Sequence, residues 1–220
     1  MQEFTNLVDK LIGRNGQERT YLNVDEELKK ISDGDFSQFK REDIDALWND
    51  DEICAYLSND GFMPIGRIWL GHSPSWSRLH ELMSEYPPTK EQVLAKSNSL
   101  LPDARIYSIT IWQEEELIQC PGEGDMNVLA ELIVDKNVDV QVQALSQIGN
   151  YVTAEIIIQV IENHLKEYGK DEQIEWIFYW LNKFNAGDFS TDEENPDDAM
   201  WHIHGQEIWA EVANKYSFKD

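Results

Sequence analysis

Apolar residues recur three and four positions apart along most of this chain, the spacing that keeps one face of an α-helix buried. Phe4, Leu7, Val8, Leu11 and Ile12 form the first such face, ended by Gly13 and Gly16. A second run covers about 18–31 and closes at Gly34. A third covers about 41–57, with Ile44, Leu47, Trp48, Cys54 and Leu57 as its apolar positions. Ser73 and Pro74 read as the N-cap and first residue of a fourth helix, whose face is Trp76, Leu79, Leu82 and Met83. Pro87 and Pro88 stop it. Thr89, followed three residues later by Gln92, is a capping-box pattern that opens a fifth. The stretch 105–112 is β-branched and aromatic, so propensity alone would make it a strand.

Internal repetition decides that stretch. DARIYSITIW from Asp103, DVQVQALSQI from Asp139 and DEQIEWIFYW from Asp171 align without gaps. Asp stands first in each, where it can cap a helix. The fourth position is Ile106, Val142 and Ile174, the seventh Ile109, Leu145 and Ile177, and the tenth Trp112, Ile148 and Trp180. Apolar residues three apart keep one helical face buried. Further amphipathic runs lie between the copies, at about 125–135 and 153–167. The pattern is helix, short turn, helix, repeated.

This pattern resembles HEAT-type α-solenoid repeats over about 89–184. The stretch VDKNVDVQVQALSQIGN (134–150) is the most similar to the family's second helix, although Gln141 stands where a basic residue is common. The resemblance implies a scaffold with a binding face and no particular chemistry. The expected fold class is all-α: an irregular HEAT-like α-solenoid of antiparallel helix pairs. The alternative is α+β, with a small hairpin near 105–120. The expected organisation is one helical-repeat domain over 1–220. It comprises N-terminal helices to 88, repeats over 89–184, then an acidic loop and a C-terminal helix over 185–220.

A second repetition links ELKKISDGDFS (27–37) with WLNKFNAGDFS (180–190), and continues to DALW (45–48) and DAMW (198–201). It reads as a helix end, a turning Gly, a Phe anchor and a new helix bearing Trp. Neither copy resembles a catalytic motif.

Charge changes the picture from scaffold to binder. The 220 residues carry 42 Asp+Glu against 18 Lys+Arg, a formal net charge of −24. Eleven per cent of the chain is aromatic, which excludes a disordered acidic tail. No stretch of about 18 apolar residues exists to span a membrane. Direct nucleic-acid binding is disfavoured, because phosphates would be repelled. The acid is unevenly spread. Residues 61–112 hold 5 basic and 4 acidic residues, whereas 113–220 hold 6 and 23. A surface shaped for a cationic partner produces that asymmetry.

Candidate chemistry is sparse. GHSPS (71–75) looks like a nucleophile elbow around Ser73, but Ser75 replaces the final Gly and the strand–helix alternation of that fold is missing. An N-capped helix start explains it as well. His202 and His204 fall on different faces of a helix, where a metal site wants i, i+4. DEENPDD (192–198) lacks the alternating ligands and central Gly of a calcium loop. His72, His80 and His164 have no partner at motif spacing. No enzyme activity, cofactor or metal is expected. Cys54 and Cys120 read as reduced, buried thiols, and the N-terminus shows no signal-peptide pattern, so the expected compartment is the cytoplasm.

The function these features suggest is an acidic protein that neutralises a basic protein partner, most simply an immunity protein or inhibitor of a nuclease-type bacterial toxin. A DNA-mimic inhibitor of restriction or CRISPR enzymes, or a non-catalytic helical-repeat scaffold, are the alternatives. Two sets of residues are expected at the partner. One is a solvent-facing row from the fifth and ninth positions of the aligned copies: Tyr107, Ile111, Gln143, Gln147, Glu175 and Tyr179. The other is acidic: Glu114, Glu115, Glu116, Asp192, Glu193, Glu194, Asp197 and Asp198.

Overall fold

In a computed structural model of the chain, the residues described are Asp9, 40–55, 57–58, 62–65, 68–72, Met83, 86–113, 123–186 and 205–216. They are overwhelmingly helical, as the periodicity predicts. The chain divides into two compact units, Met1–Gln119 and Cys120–Asp220. The boundary falls inside the 89–184 stretch.

The N-terminal unit contains α1 (Arg41–Trp48), α2 (Asp51–Ala55), a hairpin of β1 (Phe62–Ile65) and β2 (Ile68–His72), α3 (Lys90–Lys96) and α4 (Pro102–Gln113). The single helix expected over 41–57 is broken at Asn49-Asp50. The Asp50 carboxylate accepts from Glu52 N (3.0 Å) and Ile53 N (3.3 Å), so it starts a new helix where the old one would have continued. All five apolar positions predicted for this stretch are nonetheless buried. Thr89 caps α3 as predicted. Its hydroxyl accepts from Gln92 N (3.3 Å), and Gln92 Oε1 accepts from Thr89 N (2.8 Å).

The hairpin was not legible in the pattern. Pro64 interrupts its first strand, and the register shifts between Phe62 and Pro64. Proline cannot donate to a ladder, so this run lacks a strand signature. The alternative hairpin near 105–120 does not form, because 102–113 is the helix α4.

Helix α4 packs against α2 and α3 and is buried almost all round. Ala104, Arg105, Tyr107, Ser108, Ile109 and Ile111 are all inside. Arg105 is held by a bond from Nη1 to Ser99 O (2.8 Å). Trp48 stacks on Tyr107 (6.2 Å between centroids) and donates from Nε1 to Tyr86 O at 2.7 Å. Cys54 is a free, buried thiol, and burial pushes its pKa up to about 12. Cys120 lies outside the described residues.

Asp51 binds a buried ammonium at the edge of this core. Lys96 Nζ and Ser99 Oγ each donate to one of its oxygens at 2.5 Å. Burial raises the Asp51 pKa, but the Lys96 and Ser99 bonds and the Lys96 charge outweigh it and hold the carboxyl below its usual value. A depressed native pKa gives stability that is present above the unfolded-state value and lost as pH falls through the native one. Urea midpoints at about pH 6 and about pH 2.5 should therefore differ less in Asp51→Asn than in the wild type. Asp51 remains 41% exposed. The substitution should thus cost only about 1–2 kcal/mol at neutral pH, below the figure for a fully buried pair.

The C-terminal unit runs α5 (Glu123–Ala130), a 3₁₀ turn (Glu131–Val134), α6 (Val138–Gln147), a second 3₁₀ turn (Ile148–Asn150), α7 (Ala154–Tyr168), α8 (Glu172–Asn185) and α9 (Gln206–Tyr216). The runs predicted at 125–135 and 153–167 are α5 with its 3₁₀ extension, and α7. Asp caps a helix only in the third aligned copy, where Asp171 accepts from Ile174 N at 3.1 Å. In the second copy Asn137 is the cap, two residues before Asp139. In the first, Asp103 lies inside the first turn.

Gln141, at the third aligned position, bridges two elements. Its Nε2 donates to Ile133 O (2.8 Å) and to Gln173 O (3.0 Å), so it ties α6 both to the turn before it and to the start of α8. Arg105, at the same third position, makes the corresponding bond to the carbonyl of Ser99. Helix α9 packs on both α7 and α8, with Trp209 edge-on to Trp180 at 4.5 Å.

Candidate interaction surface

In the C-terminal unit α6 begins beside the start of α8, joined by the bond from Gln141 to Gln173 O. A groove of about 320 Å³ lies there. Lys136, Val138 and Gln141 form one wall; Glu172, Gln173, Glu175, Trp176 and Tyr179 form the other. Its size is at the small end for ligand pockets. Trp176 and Tyr179, three residues apart on α8, stack at 5.2 Å with planes 23° apart. Tyr179 is 44% exposed and Val138 51%. Glu172 and Glu175 are exposed beside them. Lys183 Nζ lies over the Tyr179 ring, 5.9 Å from its centroid. Trp176 Nε1 is fully buried and has no hydrogen-bond partner among the described residues.

Of the predicted row, Glu175 and Tyr179 are together and solvent-facing in this groove. Tyr107 and Ile111 are not at any surface: they are 5% and 3% exposed, inside α4. The physical reason is that α4 carries large apolar residues on every side, and such a helix is buried rather than amphipathic. Gln143 and Gln147 are half-buried, and Gln147 Oε1 is enclosed. They form no open row. Glu114, Glu115, Glu116, Asp192, Glu193, Glu194, Asp197 and Asp198 lie outside the described residues, as do Ser73, His202, His204 and both GDFS loops.

Trp176 was missed, yet the sequence carried a signal for it. It occupies the sixth position of the third aligned copy, where the others have Ser108 and Ala144. Those two are buried small residues. An indole does not fit wholly into a place built for a methyl or hydroxymethyl group, and Trp176 is half-buried where the other two are enclosed.

His164 does have a partner that motif spacing did not suggest. Its Nε2 lies 2.6 Å from Asp171 Oδ2, across the turn that Gly169 makes at φ +77°. The same Asp171 carboxylate caps α8, so the pair fastens the end of α7 to the start of α8. Burial raises the Asp171 pKa, but the bonds from His164 and from Ile174 N outweigh it and keep the carboxyl below its usual value. Among the described residues, no three His, Cys, Asp or Glu side chains gather as a metal site. Nor is any described helix long and apolar enough to cross a membrane.

No protein-family model, curated protein or solved structure matches the chain.

Proposed function

We propose that this protein is an acidic binding protein that captures and neutralises a basic protein in the cytoplasm. An immunity protein or inhibitor acting on a nuclease-type bacterial toxin is the form that best suits these features. One observation carries the reading: the excess of 23 acidic over 6 basic residues in 113–220 coincides with an exposed aromatic groove flanked by carboxylates. Charge of one sign steers an oppositely charged partner and speeds encounter by about 10- to 1,000-fold. Aromatic area supplies the contact that holds it. Nucleases that bind phosphate backbones are themselves basic, so a strongly acidic inhibitor meets them with complementary charge. The helices of the C-terminal unit serve this role as a support for the face rather than as a chemical site.

The test is affinity capture from the native host with the full chain as bait. The protein retained should carry a clear excess of Lys and Arg and should be released by salt. Retention of a neutral or acidic protein, unaffected by salt, would contradict the reading. A basic partner that normally encloses DNA would redirect it toward a DNA mimic.

A further inference from the structure

We infer that the groove between the start of α6 and α8 is the seat of a single arginine side chain of the basic partner. The inference rests on the binding-protein reading and adds the chemistry of one contact to it. Three features meet there. A stacked Trp176–Tyr179 pair offers an aromatic surface, with Tyr179 nearly half exposed. Glu172 and Glu175 line the same wall. Val138, exposed on the opposite wall, gives apolar contact for an aliphatic stem. Charge complementarity selects a cation: Glu172 and Glu175 line the groove opposite Lys136, Lys183 lies over the Tyr179 ring, and the surrounding stretch 113–220 holds 23 acidic against 6 basic residues.

Planarity selects arginine over lysine. A guanidinium stacks on an aromatic face while its edge donates to a carboxylate in a two-pronged bond, and it gives up its hydration more readily than an ammonium. Lys183, one turn along the same helix, lies over the Tyr179 ring at 5.9 Å from its centroid, so a partner arginine shares or takes over that face. A partner arginine would lay its plane on the aromatic pair and turn its N–H edge toward Glu172 and Glu175. Arginine and aromatic residues are the side chains most enriched among energetically dominant interface contacts.

The probe is the blocked peptide acetyl-Gly-Arg-Gly-amide, titrated at low salt into the full chain with the indole N–H signals followed by NMR. Trp176→Phe assigns the Trp176 signal. That signal should move saturably with the arginine peptide and remain still with the citrulline peptide, which has the same shape without the charge. The lysine peptide should bind about tenfold more weakly. Tyr179→Ala and Glu175→Gln, both at exposed positions, should each weaken the arginine peptide by about threefold to tenfold. Equal response to citrulline, equal affinity for lysine, or movement of other indole signals with Trp176 still would each overturn the inference. The two levels separate cleanly. If wild type and Tyr179→Ala hold the captured basic partner equally well, with the same salt sensitivity, the groove assignment fails and the binding-protein reading stands. If the arginine peptide binds as described while no basic protein is captured, the reading fails and only the groove's preference for a guanidinium stands.

Discussion

Gly205→Ala should destabilise the C-terminal unit by about 3 kcal/mol, lowering its melting midpoint by about 12–24 °C in a calorimetric scan. Two independent causes combine. Gly205 sits at φ +69°, a conformation that residues with a Cβ rarely adopt. A Cβ there would also overlap the Gly149 carbonyl outright and lie 2.7 Å from Gly149 Cα. All of the atoms it would strike are backbone, so no side-chain rotation relieves the clash. The backbone cannot simply retreat either. Gly205 O accepts from Ile208 N (3.0 Å) and Trp209 N (3.1 Å), so moving Gly205 drags the first turn of α9 with it. A midpoint within about 2 °C of wild type, less than ~1 kcal/mol, would show that the crossing of 149 and 205 is looser than described.

The second large effect lies one turn further on. Trp209 is completely buried and meets Trp180 edge-on at 4.5 Å. Trp209→Ala should cost about 3–5 kcal/mol, through lost burial and the cavity left behind. Trp209→Phe should cost far less, about 1 kcal/mol, because Trp209 Nε1 has no hydrogen-bond partner among the described residues and none is lost with it. Urea unfolding of the two variants gives the comparison. A phenylalanine variant as unstable as the alanine one would mean that the full indole, by its volume or its nitrogen, is needed at this site. Gly205→Ala and Trp209→Ala act on one helix start, so their combined cost should fall short of the sum.

Much of this architecture was legible as pattern. The apolar spacing located the 41–57 stretch, read as one helix, and the run that is α7; the Thr89 capping box opened α3; the gapless alignment gave α8 and correctly made 105–112 helical against its own β-propensity. The alignment also placed Ile109, Leu145 and Ile177 in the core, where all three are buried. It failed where helix identity had to be converted into exposure. The fifth and ninth positions face outward only in the third copy, where Glu175 and Tyr179 are polar or amphipathic. In the first copy Tyr107 and Ile111 are too apolar to be left outside, and α2 and α3 cover that helix. Periodicity reports which residues share a face; it does not say how many faces a helix must bury. The break at Asn49-Asp50 was missed for a different reason. The apolar spacing runs across it undisturbed, while a single carboxylate bonded to Glu52 N and Ile53 N restarts the helix.

The groove illustrates the same limit. Glu175 and Tyr179 stand at the aligned fifth and ninth positions, whereas Trp176, at the sixth, belongs to neither the apolar nor the outward row. Val138 and Lys136 could not be found at all, because nothing in the spacing shows that the start of α6 lies beside α8. That adjacency is fixed by Gln141, whose one amide group bonds to Ile133 O and Gln173 O together.

In the proposed function the concentrated acid of 113–220 meets a basic protein. The most direct measurement is the dissociation constant of the captured complex between about 50 and 500 mM salt. A partner steered and held by this charge should lose affinity steeply and linearly on a log–log plot, mainly through a slower association rate. A constant affinity and a constant association rate over that range would contradict the account.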